Sequence, residues 1–151
     1  MNFWDWAQEV YARPGVAQTC LELQDSHRQS IPYLLWALWA AAPPEALRQG
    51  AAIARPWQAA AIEPLRAARR AAKTPFLGVD DTGREALRVA IKADELQAER
   101  LLLEALEAFH RPAAKVRREP RDQLAAAVKA WAGPTVELSV LQKASRPFSG
   151  L

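Results

Sequence analysis

Eleven prolines divide this chain of 151 residues into short pieces, and their spacing limits the fold more than any other feature. Proline lacks a backbone N–H and crowds the carbonyl four residues earlier, so it opens helices and breaks their interiors. Between the prolines the sequence is rich in alanine and poor in β-branched residues, which favours helix over strand. Several short helices at differing angles follow from this punctuation. The expected fold is a single all-α domain, an irregular or orthogonal bundle of about six or seven helices with one long central helix.

The helices can be placed in order. Asn2 suits an N-cap, with Asp5 in the first turn, and helix one runs to about Ala12. Helix two is expected from Pro14 to about Arg28, with Val16, Cys20, Leu23 and His27 on one face. Ser30 caps a third helix that ends before Pro43-Pro44. Residues 45–54 read as a short helix, and another starts near Pro56-Trp57, is bent by Pro64 and stops before Pro75. The loop "TPFLGVDDTG" leads into a long helix from Arg84 to about His110. A basic connector, "KVRREPRD", precedes a helix over 121–132, stopped by Gly133-Pro134. Residues 1–134 are read as the bundle and 135–151 as a tail that docks in extended form or frays.

The first helix carries Phe3, Trp4 and Trp6. Phe3, Trp6 and Val10 share one face, and Trp4, Ala7 and Tyr11 an adjacent one. A helix with aromatics on two faces is wedged between neighbours, and Trp36 and Trp39 on the nearly all-apolar third helix are the expected contacts.

Half of the residues are hydrophobic and a quarter charged, which is globular composition. The net charge of +3 is weak beside the clustered basicity of a nucleic-acid module, so nucleic-acid contact is the least supported reading. A single cysteine, Cys20, excludes an internal disulfide. The start "MNFWDW" lacks the charged and apolar regions of a secretory signal. The longest apolar run, Tyr33 to Ala42, falls short of the roughly 20 residues a bilayer span needs. A cytoplasmic protein is the resulting expectation.

"FWDWAQEVYARPGVAQTCLELQDSH", "LLWALW", "PLRAARR" and "KADELQAERLLLEAL", in that order, resemble a proteobacterial family of short helical proteins catalogued as a domain of unknown function. The resemblance covers most of residues 3–107. It implies a bacterial cytoplasmic protein and brings no activity, cofactor or catalytic residue.

Three clusters could carry function. Arg66, Arg69, Arg70 and Lys73 share one helix face, with Trp57, Ala61, Leu65, Ala68 and Ala72 opposite. Guanidinium forks match carboxylates and phosphates, so this is a candidate face for an acidic partner or an anion. In the long helix, Leu87, Ile91, Ala98, Leu102, Ala105 and Phe109 form one apolar stripe, and Val89, Leu96 and Leu103 another, so neighbours are expected on two sides. Asp94 falls within the first stripe with Glu95 beside it, and a buried carboxylate needs a partner; an arginine of the 66–70 segment is the expected one. Trp4, Trp36, Trp39 and Trp57 could line an aromatic pocket with arginines at its mouth.

Catalytic and metal signatures are weaker. Glu104, Glu107 and His110 give one Glu-x-x-His step, where a di-iron bundle needs two and further carboxylates. Asp25 and His27 have no nucleophile attached to them in sequence. No cofactor or metal is expected. An interaction or adaptor module using the basic helix face for an unidentified protein partner is the leading reading, and a small-ligand binder or enzyme with the aromatic pocket is the rival.

Overall fold

The structure is a computed structural model that describes residues 1–113 and 118–151. Its regular elements are all helical: α1 (Phe3–Tyr11), α2 (Val16–His27), α3 (Ile31–Ala40), α4 (Pro44–Trp57), α5 (Glu63–Ala71), α6 (Asp81–Phe109), α7 (Pro120–Trp131) and α8 (Leu138–Ser145). A π-helical turn, Gln58–Ile62, joins α4 to α5, so the eight helices form seven rods among the described residues. The expected all-α bundle with one long helix is the fold observed. Residues 115–117 of the basic connector lie outside the described residues; beyond them, Arg121 pairs with Asp122 at 3.0 Å. Among the described residues no helix is long and apolar enough to cross a membrane.

The helix ends follow local chemistry, with several departures from expectation. Asn2 caps α1 as expected, its side-chain oxygen accepting from the Asp5 N–H at 2.9 Å. α2 starts at Val16 and not at Pro14, because Pro14-Gly15 form a turn in which Gly15 takes φ +83°, a left-handed value that L side chains rarely adopt. Residues 45–71 are not two separate helices. The rod runs through Pro56 and meets Pro64 with the π turn, in which the Glu63 N–H reaches the Gln58 carbonyl five residues back. That wider turn stands where the proline ring would crowd an ordinary helical carbonyl. α6 begins three residues earlier than expected, because the Asp80 carboxylate accepts from the Gly83 N–H at 2.6 Å and holds the glycine in the first turn.

α3 is the centre of the core. Residues Ile31 to Ala37 are all buried, and the helix packs on α6, α7, α1 and α4. Its polar atoms tie the neighbours to it. The Tyr33 hydroxyl lies 3.0 Å from the Leu47 carbonyl and 3.3 Å from that of Ala127. Trp36 Nε1 donates to the His110 carbonyl at 3.0 Å. Gly50 of α4 lies against the Trp36 ring, and a Cβ there would sit 2.5 Å from it.

The C-terminus of α3 needs help. Ala41 adopts φ +45°, which costs a non-glycine residue about 1–2 kcal/mol. Gln123 of α7 donates from Nε2 to the carbonyls of Ala37 and Ala42, both at 2.9 Å, and so fixes the turn. Ser30 occupies the N-cap position of α3 but does not cap it; its hydroxyl donates instead to Gln58 Oε1 in the π turn at 3.0 Å.

After Gly133-Pro134 the tail does not dock in extended form as expected: it forms α8, which packs on α7 and is followed by a 3-10 turn at Arg146–Phe148. Leu141, Ala144 and Phe148 are buried there.

Candidate functional site

α5 turns a mixed face inward. Arg66 is buried and Arg69 half-buried beside Ile62, Leu65 and Ala72, while Ala67, Ala68, Arg70 and Lys73 are exposed. The acids of α6 account for the two inward arginines. Glu95 and Glu99 stand one helical turn apart, and α5 lies along them. Arg66 donates from Nε to Glu95 Oε1 at 2.9 Å and from Nη2 to Glu99 Oε1 at 3.1 Å. Arg69 donates from Nε to the second Glu95 oxygen at 2.5 Å. Farther along, Arg70 pairs with Asp25 of α2 at 2.5 Å. Of the four expected cations, Lys73 is exposed and the other three hold acids of this chain. Of the two candidate buried acids, Glu95 forms the arginine pair, whereas Asp94 points away and is exposed.

The two glutamates experience different balances. Burial works to raise the Glu95 pKa, but hydrogen bonds from Arg69 and Arg66, with their charges, more than offset it and hold the carboxyl below its ordinary range. For Glu99 burial dominates, the Glu95 charge adds to it, and the pKa rises despite Arg66. Burial, then the Cys20 and Glu99 charges, push Tyr11 up to about 12. Burial and Glu99 likewise push the Cys20 thiol to about 12, so it carries no thiolate at neutral pH.

Beside this ionic cluster lies a groove of about 990 Å³. Its floor is Ile31, Pro32 and Leu35 of α3 with Leu103 of α6. One wall is α6, through Val89, Lys92, Ala93, Leu96 and Glu99; the other is α1 and α2, through Trp4, Tyr11 and Leu21. Arg69 and Glu95 reach its end. Val89 is 58 % exposed and Leu96 55 %. The second apolar stripe of α6 is thus half covered: Leu103 is buried, while Val89 and Leu96 face open space. From 81 to 94 no residue of α6 is buried, so here the helix has only one neighbouring side.

The four tryptophans do not line one cavity. Trp4 borders the groove, with the Arg100 guanidinium 4.9 Å from its ring centroid. Trp36 is sealed in the core, and Trp39 stacks on Phe3 with centroids 4.9 Å apart. Trp57 lies on the far end of α4, its Nε1 donating to the Ala98 carbonyl at 2.9 Å. Phe3 and Trp39 therefore make the α1–α3 contact anticipated for the paired aromatics.

The remaining polar candidates have structural partners. Asp25 accepts from Gln24 and Arg70. Glu104 pairs with Arg100 at 3.0 Å. Glu107 accepts from the Phe3 N–H at 3.3 Å at the start of α1 and also pairs with Arg111. Tyr11, Leu21 and the α3 floor were not singled out as site residues from the sequence. The Val89–Leu96–Leu103 stripe points to the groove, and of the other candidates Trp4, Arg69 and Glu95 border it.

The family described as protein of unknown function, DUF2390, matches residues 2–106, a span that includes α1 to α5 and most of α6. The chain belongs to this family. No curated protein and no solved structure matches it.

Proposed function

We propose that this DUF2390 chain is an interaction module whose groove between α1, α2, α3 and α6 receives an apolar helix face. The observation that carries the reading is the uncovered half of the α6 stripe, Val89 and Leu96. Large apolar side chains exposed in a contiguous concave patch mark sites of association. Val89 and Leu96 stand seven residues apart, about 10 Å along the helix, so they present two turns of apolar edge to whatever enters. The basic face of α5 supports this role less, because its arginines already hold Glu95, Glu99 and Asp25.

A photo-crosslinking amino acid at Leu96, with a control at Asp94 on the outer side of α6, tests the reading in the source cells. A discrete macromolecular adduct from position 96, absent from position 94, is expected. Equal or no adducts from the two positions would remove the groove as a binding site for macromolecules. A second reading, a small amphipathic ligand, is favoured by the Tyr11 and Glu99 groups beside the apolar floor. Native mass spectrometry of the purified chain distinguishes it by the mass of a retained small molecule.

A further inference from the structure

We infer that the groove is switched by a proton on Glu99: an apolar occupant is held over the protonated carboxyl and released from the carboxylate. This rests on the groove reading above and extends it to regulation. Glu99 stands between Leu96 and Leu103 at helical spacing, so it interrupts the apolar wall that α6 gives the groove. Only one of its oxygens is held. Oε1 accepts from Arg66 Nη2 at 3.1 Å, while Oε2 has no hydrogen-bond partner among the described residues and is open to water. The side chain is 26 % exposed.

The surrounding cations are committed elsewhere. Arg66 also binds Glu95 Oε1 through Nε at 2.9 Å, and Arg69 gives both of its contacts to Glu95. Lys92, the remaining cation of the lining, is exposed and two turns away along α6. Tyr11 from α1 and Cys20 from α2 are pushed up to about 12 and stay neutral, and α3 turns only Ile31, Pro32 and Leu35 to the groove. Water therefore balances the free oxygen of an ionised Glu99. An apolar surface laid on the floor and against Leu96 removes that water and brings no donor. A carboxylate deprived of partners in this way takes up a proton. In the open groove burial already lifts Glu99 above its ordinary range, against Arg66 and with the Glu95 charge. Cover adds to the same effect. A group whose pKa is higher in the complex binds a proton on association. Affinity is therefore full below the pKa of the free chain and falls as pH rises above it, by at most about tenfold per pH unit for one proton.

Nile red, an uncharged apolar dye, serves as the probe on the full-length chain. Its affinity, titrated by fluorescence from about pH 5 to about pH 8, is expected to fall with rising pH in the wild type. Glu99→Gln, which carries no charge at any pH, holds the acid-limb affinity throughout, and circular dichroism melts confirm that it stays folded. Leu96→Asn weakens the dye at every pH and so places it in the groove. Calorimetry of dye binding in two buffers of different ionisation enthalpy counts the protons without any variant: uptake is expected for the wild type. Dye that is sensitive to Leu96→Asn but binds equally at all pH, with no proton uptake, overturns the switch and keeps the groove. A pH dependence that survives in Glu99→Gln also overturns it, because another group then carries the proton. Absence of groove-dependent dye binding at every pH overturns it as well. The Leu96 crosslink decides the broader reading separately, since it asks only whether a macromolecule occupies the groove.

Discussion

Glu95→Gln probes the ionic cluster directly. Glu95 accepts from Arg66 Nε at 2.9 Å, from Arg69 Nε at 2.5 Å and from Arg69 Nη2 at 3.4 Å, with 9 % of its side chain exposed. Removing one member of a buried ion pair costs about 3–5 kcal/mol, chiefly because the other charge is left without compensation. Two features reduce that here. Arg66 keeps Glu99, and Arg69 is a quarter exposed and partly screened by water. Gln also retains one acceptor oxygen. A loss of about 2–3 kcal/mol remains, or a fall in melting temperature of about 5–10 °C for a chain of this size. The pH dependence has a definite sign. Because the Glu95 pKa is lowered in the folded protein, its stabilisation is present above the unfolded value, about 4.3, and is lost as pH falls through the folded value. The gap between wild type and variant, measured by circular dichroism melts and urea titration, is therefore wide at pH 7 and narrows progressively as pH falls below the unfolded value. A melting temperature unchanged within about 1 °C at pH 7, or a gap that widens on acidification, would refute the account.

Glu99→Gln has the opposite sign. The raised Glu99 pKa means that its contribution is present below the unfolded value and is lost as pH rises through the folded one, so the variant gains on wild type as melts are moved upward from pH 4. A gain on acidification would contradict it. Gly50→Ala places a Cβ 2.5 Å from the rigid Trp36 ring and is expected to cost about 1–3 kcal/mol, read by thermal melts and a shift in tryptophan emission. Gln123→Ala strips two buried carbonyls of their donor at the left-handed end of α3, for a loss of about 1–3 kcal/mol in urea titrations. Leu96→Glu, on an exposed ridge, should change monomer stability by no more than about 0.5 kcal/mol; a larger fall would mean that the side chain already packs within its own chain.

Legibility in the sequence followed the range of the forces involved. Ends set by local chemistry were readable: the Asn2 cap and the break at Gly133-Pro134 depend on residues within one turn, as does the stop at Pro43-Pro44, whose preceding left-handed turn is fixed by Gln123 of α7. The continuous rod through Pro56 and Pro64 was not, because a π turn at 58–62 depends on the packing of Gln58 and Ile62 in the interior. The Arg66–Glu95 pair was readable because an acid beside an apolar stripe requires a cation, and α5 carries arginines at the right spacing. Which face of α5 turned inward was less so. Leu65 and Ala72 of the expected apolar face do turn in, and two glutamates one turn apart on α6 draw Arg66 and Arg69 in beside them. The aromatic pocket drawn from Trp4, Trp36, Trp39 and Trp57 dispersed, because tryptophan marks burial without saying against what.

The second stripe of α6 shows how a partly met expectation can locate a site. An apolar stripe in a sequence records that something covers it without recording which chain does so. Here Leu103 meets the α3 floor, and two turns earlier the cover stops while the stripe continues. Were Leu96 and Val89 merely tolerated on the surface, they would stand alone. They border instead a groove whose floor is Ile31, Pro32 and Leu35 and whose far wall carries Trp4 and Leu21, so whatever covers them meets apolar side chains from α1, α2 and α3 as well.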